Sequence, residues 1–178
     1  MTVTWGITIL VDVGGGKWCK VVYTGLQEKG PGPMFYGEYT HTLDDKGRLI
    51  LPARFREVAE QNSVGKFFVT RGFESCVFMF AEAEWKHYEQ KFRDVPFTKH
   101  DGRTFNRMFF SGAVDVLPDK QGRFIIPQYL KDFAGIKDKS IIIGVSNRIE
   151  IWAQDRWQEY FEKSSKLFEQ TAENILNL

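Results

Sequence analysis

An eleven-residue pattern occurs twice in this chain, and that repetition constrains its fold more than any other feature. Residues 42–52 read Thr-Leu-Asp-Asp-Lys-Gly-Arg-Leu-Ile-Leu-Pro; residues 117–127 read Leu-Pro-Asp-Lys-Gln-Gly-Arg-Phe-Ile-Ile-Pro. Asp44, Gly47, Arg48, Ile50 and Pro52 recur 75 positions later as Asp119, Gly122, Arg123, Ile125 and Pro127. Over residues 35–59 against 110–134, eight of 25 positions are identical, and a later run (Ala81, Trp85, Tyr88 against Ala153, Trp157, Tyr160) aligns at an offset of 72. An internal duplication accounts for both runs, so the chain is expected to use one supersecondary unit twice.

The chemistry of the pattern predicts that unit. Asp-Asp-Lys-Gly and Asp-Lys-Gln-Gly are turn sequences: Asp bonds backbone two residues on, and Gly47 and Gly122 accept positive φ without a Cβ clash. The β-branched apolar run after each glycine reads as a short strand. Pro52 and Pro127 suit the first turn of a helix. Phe55, Val58 and Ala59, then Leu130, Phe133 and Ala134, follow at helical spacing. The unit is therefore strand, turn, strand, helix, with a hairpin expected at each turn.

Taken in order, residues 1–33 have no counterpart in the duplication. They hold Gly14-Gly15-Gly16 and end Lys29-Gly30-Pro31-Gly32-Pro33, which disfavours regular structure. The expectation is an extension outside the folded unit, with Met34 as a natural start; the alternative is an edge strand from Thr4 to Val13. Ile7–Val11 is too short to span a membrane, and no Lys or Arg precedes it as in a secretory signal. Phe35–Leu43 predicts a strand presenting Tyr36, Glu38, Thr40 and Thr42 on one side. Further strands are expected at 66–70, 76–80, 140–145 and 148–152, a helix over 82–95, and one long helix from Gln154 with a surplus apolar face. Residues 97–109 combine Lys99, Arg103 and Arg107 with Phe105, Met108 and Phe109, which fits either a solvated face over an apolar one or a phosphate contact.

No enzyme motif is present: no Walker loop, no Gly-x-Ser-x-Gly, no Cys-x-x-Cys. His41, His87 and His100 lack metal-ligand spacing. Cys19 and Cys76 lack motif spacing, which fits free thiols in a reducing compartment. Nothing implies a cofactor, a metal or a catalytic residue. What remains is a carboxylate four residues before an arginine, twice. Asp44 and Asp119 can orient Arg48 and Arg123 across the turn, and a guanidinium fork so held suits a phosphate or a guanine edge. From the chemistry alone, the simpler role for the same pair is to pin a hairpin.

Beyond this chemistry, several stretches resemble the MraZ family: Met34-Phe35-Tyr36-Gly37-Glu38-Tyr39, Leu43-Asp44-Asp45-Lys46-Gly47-Arg48-Leu49, Pro52-Ala53-Arg54-Phe55-Arg56, Phe109-Phe110-Ser111-Gly112-Ala113, and the two Asp-x-x-x-Arg elements. The resemblance covers Met34 to about Phe168. It implies a bacterial transcriptional regulator of the division and cell-wall gene cluster, cytoplasmic and nucleoid-associated. Its partners would be double-stranded DNA, as short tandem repeats upstream of its own operon, and itself in a ring homo-oligomer; no membrane and no small-molecule substrate is implied. The implied fold is α+β, mainly β: an internally duplicated AbrB-like swapped-hairpin (double-psi-type) β-barrel with peripheral helices. The expected layout is an extension over 1–33, AbrB-like domains over 38–85 and 114–157, a helical linker over 86–113 and a C-terminal helix over 158–178. Arg48 and Arg123 are the implied DNA contacts, with Lys46 and Arg54 flanking the first. Gln121 and Tyr129 replace those two in the second copy, which predicts either weaker contact there or a mainly structural role.

Charge bears on that expectation. Residues 1–33 carry three lysines and two acidic residues, leaving 21 basic against 21 acidic side chains in the remainder. One chain alone would have little nonspecific pull on DNA. Two other classes compete with the regulator: an AbrB-like protein-interaction or antitoxin-type module, and an enzyme on a double-psi-type barrel, which would need a clefted carboxylate pair, a metal or a nucleophile. The distinguishing observation is whether Arg48 and Arg123 lie exposed on one shared face or bury against their aspartates.

Overall fold

The computed structural model describes residues 32–176, and along them each copy of the motif becomes the same run of elements. In the first, β1 (Phe35–Thr42) leads through a turn to β2 (Arg48–Ile50), then α1 (Ala53–Gln61), β3 (Phe67–Arg71), β4 (Val77–Ala81) and α2 (Glu82–Arg93). Helix α3 (His100–Phe110) intervenes. The second copy gives β5 (Val114–Val116), β6 (Arg123–Ile125), α4 (Gln128–Ala134), β7 (Lys139–Ser146), β8 (Arg148–Ala153), α5 (Gln154–Ser165) and α6 (Phe168–Leu176). Pro52 and Pro127 stand at the starts of α1 and α4, where a missing N–H breaks no bond. The extension expected over 1–33 lies, but for its last two positions, outside the described residues.

The fold is α+β with antiparallel ladders. Six strands form one sheet in the order β1-β7-β8-β4-β3-β5, and β2 and β6 form a separate two-stranded ribbon. Among the described residues the large sheet does not close into a barrel; β1 and β5 are its edges. The order mirrors the duplication. The two copies meet at β4 and β8, and each lends its first strand to the other: β1 pairs β7, and β5 pairs β3.

This corrects the expectation of a β1–β2 hairpin. The turn closes as predicted, Gly47 N–H donating to Asp44 O at 2.8 Å and Asp44 N–H to Arg48 O at 2.9 Å. The strands then part: β1 joins the large sheet, while β2 pairs with β6 so that Leu49 and Phe124 enter the shared core. β1 and β7 pair over eight residues, from Phe35–Ser146 to Thr42–Lys139. β2 and β6 pair over three, and Leu51 N–H extends that ribbon to Gly122 O at 2.8 Å.

Alternation along the strands builds two apolar layers. Val77 and Met79 face a core that includes Phe35, Leu49, Phe55, Phe124, Leu130 and Ile142; Phe78 and Phe80 face an aromatic layer with Trp85, Phe109 and Trp152. β4 is therefore buried on both sides, each such side chain contributing roughly 1.5–3 kcal/mol. Cys76 is buried beside Phe78, and burial pushes its thiol pKa far up. Tyr36, Glu38, Thr40 and Thr42 share one side of β1, as the alternation predicts, and that side is the solvent side.

One helix differs from its prediction. The run from Gln154 breaks after Ser165 instead of continuing. Ser165 Oγ donates to Glu162 O at 3.4 Å, and Leu167 N–H turns back to Ser164 O at 3.0 Å. Serine hydroxyls compete with the helical ladder in this way. The apolar surplus remains exposed at Phe161, Leu167, Phe168, Ile175 and Leu176. Among the described residues no helix is long and apolar enough to cross a membrane.

Candidate nucleic-acid interface

The two motif arginines come together on the β2–β6 ribbon. Its register sets Arg48 opposite Ile125, Leu49 opposite Phe124 and Ile50 opposite Arg123. Period-two alternation then sorts the side chains. Leu49 and Phe124 point inward, 1% and 3% exposed, while Ile50 and Ile125 remain 41% and 57% exposed. Arg48 and Arg123 share that outer face as diagonal neighbours, with Cβ atoms about 7–8 Å apart or somewhat less. Neither copy could present this face alone.

Both Asp–Arg elements have the same geometry. Asp44 Oδ1 accepts the backbone N–H groups of Lys46 and Arg48, each at 2.9 Å, and Asp44 Oδ2 accepts Arg48 Nε at 2.7 Å. Asp119 repeats this with Gln121, Arg123 and Arg123 Nε at 2.9, 2.9 and 2.7 Å. Each aspartate thus fixes the turn with one oxygen and aims a guanidinium with the other. The arginine side chains stay 24% and 31% exposed. Being pinned and facing outward therefore hold together, not as alternatives. Arg48 also sets Nη2 2.6 Å from Asp44 Oδ2, and among the described residues neither arginine's Nη1 donates a hydrogen bond.

The pairing lowers both carboxyl pKa values. The Arg48 side chain, then its backbone N–H, hold Asp44 at about 2, against the ordinary 3.8. Asp119 is lowered chiefly by the backbone N–H of Arg123. A depressed carboxyl pKa stabilises the fold above the unfolded value and loses that contribution as pH falls toward the folded one. The expected outcome is a carboxyl NMR titration of Asp44 with its midpoint near 2, and a return toward 3.8 in Arg48→Ala. An unshifted midpoint in the wild type would contradict the pairing.

The remaining expected residues are placed as follows. Lys46 is exposed at the first turn tip. Arg54 stands at the start of α1 in an exposed pair with Glu57 at 3.0 Å. In the second copy, Tyr129 hydrogen-bonds Gly112 O at 3.0 Å, and the Arg71 guanidinium lies 5.7 Å from its ring centre. Lys120 is exposed at the second tip, where the first copy has Asp45; this offsets the exchange of Lys46 for Gln121. In α3, Arg103 is turned back on its own N-terminal loop, donating to Phe97 O and Thr98 O at 2.8 Å each.

Two residues on this interface escape sequence reasoning. Arg56 of α1 reaches the second turn, where Nη1 donates to Gln121 O at 3.1 Å. Lys131 of α4, its aligned partner, lies at the first turn: its Nζ would be 3.2 Å from a Cβ on Gly47. The available signal was two basic residues 75 positions apart, four after each proline.

The turn glycines differ accordingly. Gly47 and Gly122 have φ of +69° and +79°, and a Cβ on Gly122 would also meet Arg56 Cδ at 2.3 Å. Gly122→Ala is expected to destabilise the protein more than Gly47→Ala, where a flexible ammonium can move aside. Paired thermal melts check the order; equal shifts would contradict it.

Comparison with known proteins agrees with the duplication. A family model described as "MraZ protein, putative antitoxin-like" matches residues 34–108 and again 109–178. A transcriptional regulator MraZ of Desulforamulus reducens is 45% identical over 145 residues, 82% of this chain and 99% of that protein. One of Syntrophomonas wolfei subsp. wolfei is 45% identical over 146 residues, again 82% and 99%.

Proposed function

This chain belongs to the MraZ family, and from that premise we propose that it is a DNA-binding transcriptional regulator that reads DNA with the outer face of the β2–β6 ribbon. The observation that carries this reading is the pair of outward, carboxylate-aimed guanidinium groups at Arg48 and Arg123 on one face. Arginine held in this way presents a fork to guanine O6 and N7 or to a phosphate. Lys46 and Lys120 at the tips add charge for the DNA backbone, and Arg54 stands nearby in sequence as a further backbone contact. The target is DNA upstream of its own operon in the division and cell-wall gene cluster, arranged as short tandem repeats, in the cytoplasm at the nucleoid.

The finer architecture belongs to the same proposal. We take 38–85 and 114–157 as two AbrB-like halves of swapped-hairpin type, joined by a helical linker over 86–113 and followed by the C-terminal helical region 158–178. The exchange of β1 and β5 between the copies, together with the shared ribbon, supports this. The chain acts as a ring homo-oligomer, and the exposed apolar side chains of α5 and α6 are the surface that favours self-association.

A near-neutral protomer then binds through repetition. Several ribbons engaging several DNA repeats raise avidity by roughly 10²–10⁴ with no new contact type. Titrating the full-length protein with duplexes carrying one or several upstream repeats, across a salt series, tests this. The expected result is weak binding to one repeat and tight binding to the array. Equal affinity for both would contradict the ring reading. Binding no tighter than to random DNA would favour the second reading, an antitoxin-type interaction module, which the description of the family model keeps in view.

A further inference from the structure

We propose that Arg56 and Lys131, aligned in the duplication, serve the two turn tips unequally: Arg56 is a positioning residue for the second tip, and Lys131 contacts phosphate beside the first. The inference rests on the DNA-binding reading above and names residues that reading does not use.

Each side chain crosses to the other copy. Arg56 leaves α1 and covers Gly122; Lys131 leaves α4 and approaches Gly47. Their ends differ in what they do there. The Arg56 guanidinium donates to Gln121 O at 3.1 Å, inside the loop whose Gln121 N–H is held by Asp119 Oδ1. Gln121 is thus tied on both sides, by its own aspartate and by an arginine from the other copy. The stem of Arg56 fills the space over Gly122, which is buried, and its Nε is buried without a hydrogen-bond partner among the described residues. Such a side chain is committed to holding the loop that aims Arg123. Keeping the unpaired N–H buried there is unfavourable, so packing over the loop is what sustains this pose.

Lys131 has no such commitment. Among the described residues its ammonium makes no hydrogen bond or ion pair, and the side chain is half-buried at the same tip as Lys46 and Arg48. An ammonium on a flexible stem, with three rotatable donors and no partner, suits a point contact with a phosphate oxygen. Directional reading then stays with Arg48, and Lys131 supplies charge from the opposite copy. Any DNA seated on the first tip would touch both halves of the chain.

Salt dependence separates the two roles, because each phosphate contact contributes about 0.9 to the slope of log affinity against log salt. With the full-length protein and the upstream repeat array, Lys131→Ala is expected to lower the slope by about 0.9 per tip engaged and to weaken repeat and scrambled DNA alike. Arg56→Met keeps the stem and drops the donors. It is expected to leave the slope unchanged and to weaken repeat DNA about tenfold more than scrambled DNA, with partial rescue in Arg56→Lys. Arg56→Met is also expected to add nothing once Arg123 is alanine, since it acts through Arg123. An unchanged slope in Lys131→Ala, or a fully additive Arg56–Arg123 double variant, would overturn the proposal while wild-type binding stands. Wild-type binding no tighter than to scrambled DNA would overturn the underlying reading with it.

Discussion

Replacing Arg48 with alanine is expected to leave the protein folded while weakening its grip on the repeat array by about 5- to 150-fold for each ribbon engaged, the equivalent of about 1–3 kcal/mol for one lost guanidinium contact. Arg123→Ala is expected to fall in the same range, because its Asp119 geometry repeats that of Asp44 to within the distances quoted. Stability should fall only modestly, since partly exposed ion pairs of this kind contribute little. Arg48→Lys should not rescue, because an ammonium cannot reproduce a fork held through Nε. Binding titrations beside thermal melts check this. Loss of folding together with binding would mean that the pair only pins the turn.

The second large effect lies under the same ribbon. Phe124→Ala is expected to destabilise the protein by about 3–5 kcal/mol, the range for deleting a buried aromatic side chain. Phe124 is 3% exposed and sits opposite Leu49, itself fully buried. That loss is a large share of a typical stability of about 5–15 kcal/mol. Because the ribbon and the large sheet both draw on both copies, denaturant unfolding should remain one transition, shifted to lower concentration. A shift below about 1 kcal/mol, or separate transitions for the two halves, would contradict the interleaved core.

Much of this was legible in the sequence, and the remainder failed for identifiable reasons. The repeat announced two equivalent units. Asp and Gly announced the turns, the prolines announced the helix starts, and the alternation in residues 35–43 announced which residues of β1 share a side. The four-residue spacing also placed each carboxylate beside its arginine. Strand partners were not legible. Three residues such as Arg48-Leu49-Ile50 give a face but no partner, and a duplicated chain offers an equivalent partner in each copy. Local turn chemistry pointed to a simple hairpin, whereas in both copies the flanking strands pair with strands of the other copy. The roles of Arg56 and Lys131 were not legible, because helical spacing reports the apolar face and not where a long basic side chain ends. At the tips, Asp45 against Lys120 offsets Lys46 against Gln121, so the second tip is no poorer in positive charge than the first. The break at Ser165 was hidden because serine is compatible with helical spacing even where its hydroxyl ends the helix.

The central claim is that DNA lies against the β2–β6 ribbon. Ultraviolet cross-linking of the full-length protein to its upstream repeat array, with the linked peptides identified by mass spectrometry, tests it most directly. Cross-links within residues 44–50 and 119–125 are the predicted result. Cross-links confined to residues 99–107, the basic stretch at α3, would move the interface elsewhere and contradict the account.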